Sequence, residues 1–364
     1  MIKKWSQNMT AQSDINLLTQ LTNASGVSGF EDEVVDLFQQ EVATAGKVTK
    51  DAMNNVYVEP EQNEGNRLRL QIDAHSDEVG YVVKNIRPNG LIEFVLIGGQ
   101  TAITLSSTKV RILNDEGQYI SGVISSIPPH FMTPEQKTRL PKVDELTIDV
   151  GATSAKEVED LKIKRGAPVT IDVKTQYNDY NKTLVGKAFD NRVGTALLAK
   201  TMNYLKDKTL PIDVVGALAS QEEVGARGAQ VTVRKVQPDL AIVFEGAPAN
   251  DTCFPDYAIQ TGIKRGPMIR HMDSTMITNP RFQKFALDIA KRYNIPHQEY
   301  ADTRGGQNGS VIAGYKGAPT IVISVPVRYA HTPHSYIALE DFQNSFELAK
   351  KVIDHLTPEI IQNF

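Results

Sequence analysis

Acidic and imidazole side chains follow several apolar runs of this sequence, at positions typical of the ends of β-strands. The positions are His75 with Asp77, Asp190, Glu222 with Glu223, Glu245, and His331. The carboxyl ends of parallel strands meet at one edge of an open α/β sheet, which is where ligands bind. We therefore expect these side chains to lie close together.

Each of these positions also has an ordinary explanation. His75, in AHSDEVG, could be a surface-loop histidine, and Asp190 could cap the helix that follows it, since Asp is a favoured N-cap. Glu222 and Glu223 could be two solvated acids. If the chain is extended there, their side chains point in opposite directions, so one could bind a metal while the other faces a water molecule.

Taken together, two imidazoles and three carboxylates form a mixed nitrogen and oxygen set that suits two divalent ions such as Zn, Co or Mn. Glu222 is left over as a general base that activates a metal-bridging water and returns the proton to the leaving amine. His334, three residues after His331, is expected to be a loop or helix-cap residue. The pattern is typical of a two-metal hydrolase.

The composition of the chain narrows the classes of protein to which it could belong. The 364 residues are 41% hydrophobic and 23% charged, so the chain is expected to fold, and the net charge of −4 gives no electrostatic reason to expect nucleic acid or membrane as a partner. The single cysteine, Cys253, excludes an internal disulfide and any multi-cysteine metal cluster. With no signal-peptide core visible, we expect a cytoplasmic protein that begins at Met1 or Met9.

The element pattern predicts an α/β domain interrupted by a β domain. A helix is predicted from Phe30 to a C-cap at Gly46, and LRLQIDAH reads as a strand that leads into His75. Short β-rich runs with turns at Pro88-Asn89-Gly90 and 114–117 follow, and then strands and helices alternate again. The predicted division is 1–79 and 177–364 for the α/β domain and 80–176 for the insert.

The ordered motifs AHSDEVG, GKAFDNRVG, SQEEVGARGA, VFEGAPANDT and VPVRYAHTP resemble those of the M42 metallo-aminopeptidases, the glutamyl and deblocking aminopeptidase group. Segments of the insert, GVISSIPPHFMTPE among them, are also similar to that family. The resemblance runs from about Leu17 to Leu356. It implies a phosphopeptidase-like three-layer catalytic domain, an inserted PDZ-like β-barrel that makes subunit contacts, and dimers that assemble into a dodecamer.

The resemblance also implies roles for individual residues. The metal ligands would be His75, Asp190, Glu223, Glu245 and His331, with Asp190 bridging two ions; Asp77 would support the site and Glu222 would be the base. The sequence departs from the family pattern in two places. Glu245 stands where Asp is usual, with Asp251 as the alternative ligand, and Gly306-Gln307-Asn308-Gly309 stands where relatives carry Gly-Thr-Asp.

These observations predict a dinuclear metal-dependent aminopeptidase with two divalent ions per subunit, peptide substrates and a homo-oligomeric state. Two alternatives remain open: another amide hydrolase on the same scaffold, such as a carboxypeptidase or an N-acyl amino-acid deacylase, and a catalytically silent metal-binding assembly protein. Three basic residues in predicted loops could favour acidic substrates: Lys264, Arg304 and Arg328.

Overall fold

The computed structural model describes the backbone of residues 2–364 and the side chains from residue 11 onward. Met1 lies outside the described residues, and Met9 lies within the first helix, α1 (Ile2–Asn23). None of the helices in the described range is long and apolar enough to cross a membrane.

An eight-stranded sheet forms the middle layer of the α/β part. Its strands, in spatial order, are β1 (Lys47–Lys50), β2 (Val56–Glu59), β12 (Asp213–Ala219), β3 (Arg69–His75), β13 (Leu240–Pro248), β16 (Thr320–Val327), β14 (Met268–Met272) and β15 (Gln298–Ala301). The four central strands β12, β3, β13 and β16 are parallel. Their carboxyl ends therefore point to the same edge.

Both faces of this sheet are covered, which is why its central strands are apolar runs rather than alternating ones. On β13, Ile242 and Phe244 join the larger hydrophobic core on one face, and Val243 joins a smaller core on the other. The larger core includes side chains from α1, α2 (Asp32–Glu41), α5 (Phe189–Leu205), α7 (Pro280–Arg292) and α9 (Leu339–Asp354); the smaller includes α6 (Arg227–Val236) and α8 (Gly309–Lys316). A short α10 (Pro358–Ile361) follows α9.

The β-rich middle of the chain forms a closed barrel, which confirms the predicted α/β fold with a β insert. Its strands, around the barrel, are β4 (Gly80–Ile86), β5 (Ile92–Ile97), β8 (Ile148–Asp149), β7 (Tyr119–Ile124), β6 (Lys109–Leu113) and β9 (Pro168–Ile171). Two short helices accompany them, α3 (Ala102–Leu105) and α4 (Ala155–Asp160). The barrel has its own hydrophobic core, separate from the other two. The exact division at residues 80 and 176 stays a prediction.

A third, small antiparallel sheet consists of β10 (Gln176–Asn178), β11 (Thr183–Gly186) and β17 (Ser335–Ala338). It brings the chain segment before α5 next to the segment after β16. Asp190 follows the first segment, on the first turn of α5, and His331 lies in the second.

The predicted helix from Phe30 to Gly46 is shorter in the structure, and Gly46 is not its C-cap. The helix α2 ends at Glu41 with Val42 as the capping residue. Gly46 has a φ of +144°, and a Cβ there would lie 2.1 Å from the carbonyl oxygen of Glu59 on the neighbouring strand. The glycine is therefore required by the approach of β1 to β2, and it has no part in ending the helix.

Candidate metal centre

The central parallel strands and α5 bring the predicted site residues to one place. His75 is the last residue of β3, Glu222 and Glu223 follow the end of β12, and His331 lies four residues beyond β16. Glu245 was expected to end its strand, but β13 continues to Pro248, so this acid is an interior residue of the strand. Asp190 comes from a helix rather than a strand end, since it lies on the first turn of α5.

Asp190 lies between the two histidines. Its Oδ1 is 3.4 Å from Nε2 of His75, and its Oδ2 is 3.1 Å from Nε2 of His331. His75 Nε2 is also 3.4 Å from Glu245 Oε1, and His331 Nε2 is 3.2 Å from Glu223 Oε1. The candidate ligands thus form two groups of three that share Asp190, and the ligand atoms of each group lie within 4.8 Å of one another.

In each imidazole ring, the hydrogen bond that Nδ1 makes fixes the tautomer, and with it the state of the Nε2 that faces this cluster. His75 Nδ1 lies 3.2 Å from Asp77 Oδ1, and His331 Nδ1 lies 2.8 Å from the carbonyl oxygen of Gly99. Both partners are acceptors, so each Nδ1 donates, and in the neutral ring each Nε2 presents a lone pair to carboxylate oxygens.

Lone pairs that face one another at 3.1–3.4 Å need a positive charge between them. Within residues 11–364, Glu223 Oε1 is buried and receives no hydrogen bond. Neutral imidazole and carboxylate are the donors that borderline divalent ions prefer. The residues present therefore fit divalent metal ions.

Protonation equilibria show how strongly the cluster attracts positive charge. Burial raises the pKa of Glu245 to about 7 and raises that of Glu222 well above its usual value. Burial alone would lower the pKa of His331, but Asp190 and Glu223 outweigh it and raise that pKa to about 12. Without metal, the site takes up protons where it would otherwise bind cations.

The start of α5 explains how Asp190 reaches the cluster. Asp190 (φ −83°, ψ 106°) and Asn191 are not helical, so the regular helix begins only after them. The capping role that the sequence allowed for Asp190 belongs to Asn191, whose Oδ1 accepts the backbone N–H of Gly194. Gly246 lets α5 approach β13, since a Cβ there would lie 2.7 Å from the carbonyl oxygen of Phe189.

Glu222 and Glu223 are not on an extended segment, so the strand geometry that would point their side chains in opposite directions does not apply. The strand β12 ends at Ala219, and Gln221 turns the chain with a φ of +53°. Asp77 then accepts the backbone N–H groups of Glu222 and Glu223 on its two oxygens, at 2.9 and 3.0 Å. The turn sends Glu223 toward His331 and leaves Glu222 Oε2 3.9 Å from Nε2 of His75.

Comparison with known proteins identifies the family. The sequence profile of the M42 glutamyl aminopeptidases matches residues 54–348. The chain belongs to the M42 family. It is 28% identical to the glutamyl aminopeptidase of Lactococcus lactis subsp. cremoris over 93% of this chain and 95% of the relative. The TET aminopeptidase of a marine sediment Thaumarchaeota archaeon superposes with a TM-score of 0.91 at 30% identity, over 97% of this chain and 99% of that one.

A further similar solved structure is that of Pyrococcus horikoshii TET1 peptidase, which can assemble into a tetrahedron or a large octahedral shell. Its TM-score is 0.85 at 26% identity, over 94% of this chain and all of that one. Membership of the M42 family confirms the phosphopeptidase-like fold and makes the protein a peptide hydrolase, a metal-dependent aminopeptidase.

The candidate metal centre opens into a cavity of about 540 Å³. Its walls beyond the candidate ligands include Phe254, Met268, Arg270, Tyr300 and Arg304. A cavity of this size and mixed polarity suits a side chain of a peptide. Arg304 had been singled out from the sequence, whereas Arg270, on β14, was missed because nothing in its local sequence sets it apart.

Other residues singled out from the sequence lie elsewhere. Asp251, the alternative ligand, is in neither candidate metal group of the described residues and accepts two hydrogen bonds from Arg328. Asn308 is buried, with its amide donating to Asp73. His334 and Lys264 are exposed.

Sequence reasoning also missed a buried ionic cluster behind the site. Glu78 accepts hydrogen bonds from Lys187 at 2.6 Å and from Arg192 at 3.0 Å, and all three side chains are at most 2% exposed. Arg192 Nε also donates to the carbonyl oxygen of Ser76. The cluster joins the segment after His75 to the segments on either side of Asp190. The basic residues of GKAFDNRVG were the signal for it in the sequence.

Proposed function

We propose that the protein is a dinuclear aminopeptidase that removes N-terminal residues from peptides. His75, Asp190 and Glu245 would hold one divalent ion, and Asp190, Glu223 and His331 would hold the other. The arrangement of Asp190, with one oxygen toward each histidine, is the observation that favours two ions over one.

Divalent ions bound there would polarise the scissile carbonyl and make a water molecule more acidic. Glu222 belongs to neither candidate metal group, yet its carboxylate lines the same cavity. We assign it the role of general base: its Oε2 takes a proton from the attacking water as the water oxygen bonds to the carbonyl carbon. It then gives the proton to the amide nitrogen as the carbon–nitrogen bond breaks.

Homo-oligomerisation is part of the same proposal. It is supported by the shells that the Pyrococcus horikoshii relative forms, and the described barrel surface carries exposed apolar side chains. An assembly would limit substrates to peptides that can enter it.

The decisive experiment replaces Glu222 with Gln. We expect the variant to bind as many Zn²⁺, Co²⁺ or Mn²⁺ ions as the wild type and to lose about 10²–10⁴-fold in kcat, because the amide cannot take up the proton. Glu223→Gln is the matched control, for which metal binding itself should weaken. Near-normal turnover by Glu222→Gln would contradict the mechanism.

Substrate class needs a separate measurement. Metal-reconstituted enzyme should hydrolyse aminoacyl anilides that have a free amine and should leave N-acylated ones intact. Preference for blocked substrates would instead identify a deacylase.

A further inference from the structure

A short loop of the inserted barrel contacts the candidate metal centre. This barrel loop, residues 98–101, joins β5 to α3. The carbonyl oxygen of Gly99 accepts a hydrogen bond from Nδ1 of His331 at 2.8 Å, which leaves Nε2 facing Asp190 and Glu223. A residue of the insert therefore selects the ring form and direction of a candidate ligand.

The protein encloses the His331 ring less completely than the His75 ring. The His75 side chain is 2% exposed and is enclosed by its own sheet, whereas that of His331 is 33% exposed. His331 lies in a loop, with a φ of +61°. Packing therefore restrains the His331 ring less than the His75 ring, and the Gly99 carbonyl opposes rotation of the His331 ring about its side-chain bonds.

The same loop also packs against Glu223, a second ligand of the His331 group. Gly98 has a φ of +79°, and a Cβ at this position would lie 2.6 Å from Val79 Cγ1 and 3.3 Å from Glu223 Cβ. By contrast, His75 donates its hydrogen bond to Asp77, and Glu245 accepts one from the backbone N–H of Gly246; both partners lie in the α/β part. The barrel loop thus touches one of the two ligand groups selectively.

The barrel core holds this loop in place. Gln100 Oε1 accepts a hydrogen bond from the hydroxyl of Tyr81 at 2.8 Å. Tyr81 is fully buried and packs edge-to-face on Phe94, with ring centroids 5.2 Å apart. A continuous set of contacts therefore runs from the barrel interior through Gln100 and Gly99 to His331.

We propose that the inserted barrel is a positioning element for one of the two metal ions, the one held by Asp190, Glu223 and His331. Partners of the second ring nitrogen typically change metal affinity by about 10–100-fold when they are removed. Displacing the barrel loop should weaken this ion and leave the ion at His75 and Glu245 in place. This role presupposes the dinuclear site proposed above.

Two variants displace the loop without altering a ligand. Tyr81→Phe removes only the hydroxyl that holds Gln100, and Gly98→Ala introduces the clash with Val79. Their matched controls are Tyr119→Phe, which removes a barrel hydroxyl that bonds to Glu33, and Gly90→Ala. Gly90 has a φ of +85°, and a Cβ there would lie 2.7 Å from the carbonyl oxygen of Ala152. The strain caused by Gly90→Ala should therefore be comparable to that of Gly98→Ala, but it arises away from the candidate metal centre.

The measurement is a titration of metal-free protein with Zn²⁺ against a competing chelator, repeated with Co²⁺ to follow the absorption of each bound ion. We expect about a tenfold rise in Kd for one of the two ions in Tyr81→Phe and a larger rise in Gly98→Ala, with both ions unchanged in the controls.

Unchanged affinities in Tyr81→Phe would overturn the inference, even if Gly98→Ala failed to fold. Equal weakening of both ions, or the same weakening in Tyr119→Phe, would also overturn it. A wild-type chain that binds fewer than two ions would instead contradict the proposed function, so the two failures are distinct.

Discussion

His75 and His331 face the same carboxylate, Asp190, but differ in what holds the far side of each ring. Asp77 holds His75 with a full negative charge, and Gly99 holds His331 with a neutral carbonyl. A carboxylate makes the ring a more basic ligand than a carbonyl does. We therefore expect the ion at His75 to be the more tightly bound of the two.

Replacing Asp77 with Asn tests how far that carboxylate controls its ligand. Asp77 accepts hydrogen bonds from His75 and the backbone of Glu222 on Oδ1, and from Ser28 and the backbone of Glu223 on Oδ2. An amide nitrogen in place of either oxygen cannot accept the two bonds that this oxygen receives. We expect Asp77→Asn to weaken the ion at His75 about 10–100-fold. Competition with a chelator measures the affinity.

The control for this variant is Ser28→Ala, which removes one donor to Asp77 and keeps the carboxylate. Its Zn²⁺ affinity should stay within a few-fold of the wild type. If Asp77→Asn binds both ions as the wild type does, the carboxylate has no orienting role.

At the scale of elements, the ionic cluster of Glu78, Lys187 and Arg192 ties the segments that follow β3 and β11 to α5 behind the site. Burial lowers the pKa of Lys187 to about 8, against the opposing effect of Glu78. Burying such a cluster costs free energy because the charges lose their water. Removing one partner costs more, because it leaves a buried charge with neither a counter-charge nor water.

Lys187→Met should therefore lower the free energy of unfolding by about 3 kcal/mol, since one oxygen of Glu78 loses its partner. Urea denaturation followed by circular dichroism measures the change. Lys182→Met, at the other end of β11 in an exposed pair with Asp179, should leave stability unchanged. Equal stability of both variants would show that the buried pair contributes nothing.

A second element-scale feature is Asp213, at the start of β12, which holds the loop before β3. Burial alone would raise the pKa of Asp213, but hydrogen bonds from the Glu64 and Gly65 backbone and from Arg67 outweigh it and lower that pKa. A lowered pKa in the folded state adds stability above the unfolded value of about 4, and that stability is lost as pH falls below it.

Asp213→Asn should accordingly lower the free energy of unfolding by about 1–3 kcal/mol at neutral pH. Below about pH 4, the variant should lose less stability with falling pH than the wild type does. Denaturant titrations at a series of pH values test both effects. Asp207→Asn, an exposed acid shortly before β12, serves as the control. A variant curve parallel to that of the wild type down to pH 2 would rule out this role for Asp213.

The elements also show which parts of the site could be predicted from the sequence. The apolar run of β3 ends in His75, and DLAIVF leads to Glu245, so strand patterns were enough to bring these two side chains together, although β13 continues past Glu245 to Pro248. No local pattern could reveal that Gly99 contacts His331, 232 positions away, or that Lys187 contacts Glu78, 109 positions away. The turn at Gln221 was missed because its left-handed conformation has no glycine to mark it.

At the scale of the whole molecule, the barrel and the α/β part have separate hydrophobic cores. A barrel of this kind could be a passive addition to the catalytic part. Two observations favour active roles instead: its loop at Gly99 contacts the candidate metal centre, and the segment between β7 and β8 exposes apolar side chains. In that segment Phe131 is 80% exposed, Leu140 64% and Ile127 45%.

Exposed apolar side chains clustered on one segment are typical of an interface, because water contact with them is unfavourable. If this segment joins copies of the chain, replacing Phe131 and Leu140 with Glu should shift the assembly to smaller species in sedimentation velocity experiments. Gln136→Glu places the same charge in the same segment at a polar position and should keep the wild-type assembly. Because neither exposed side chain belongs to the core of the barrel, near-ultraviolet circular dichroism should be unchanged, which separates loss of assembly from loss of folding. An unchanged sedimentation coefficient in the Phe131/Leu140 variant would place the interface on another surface.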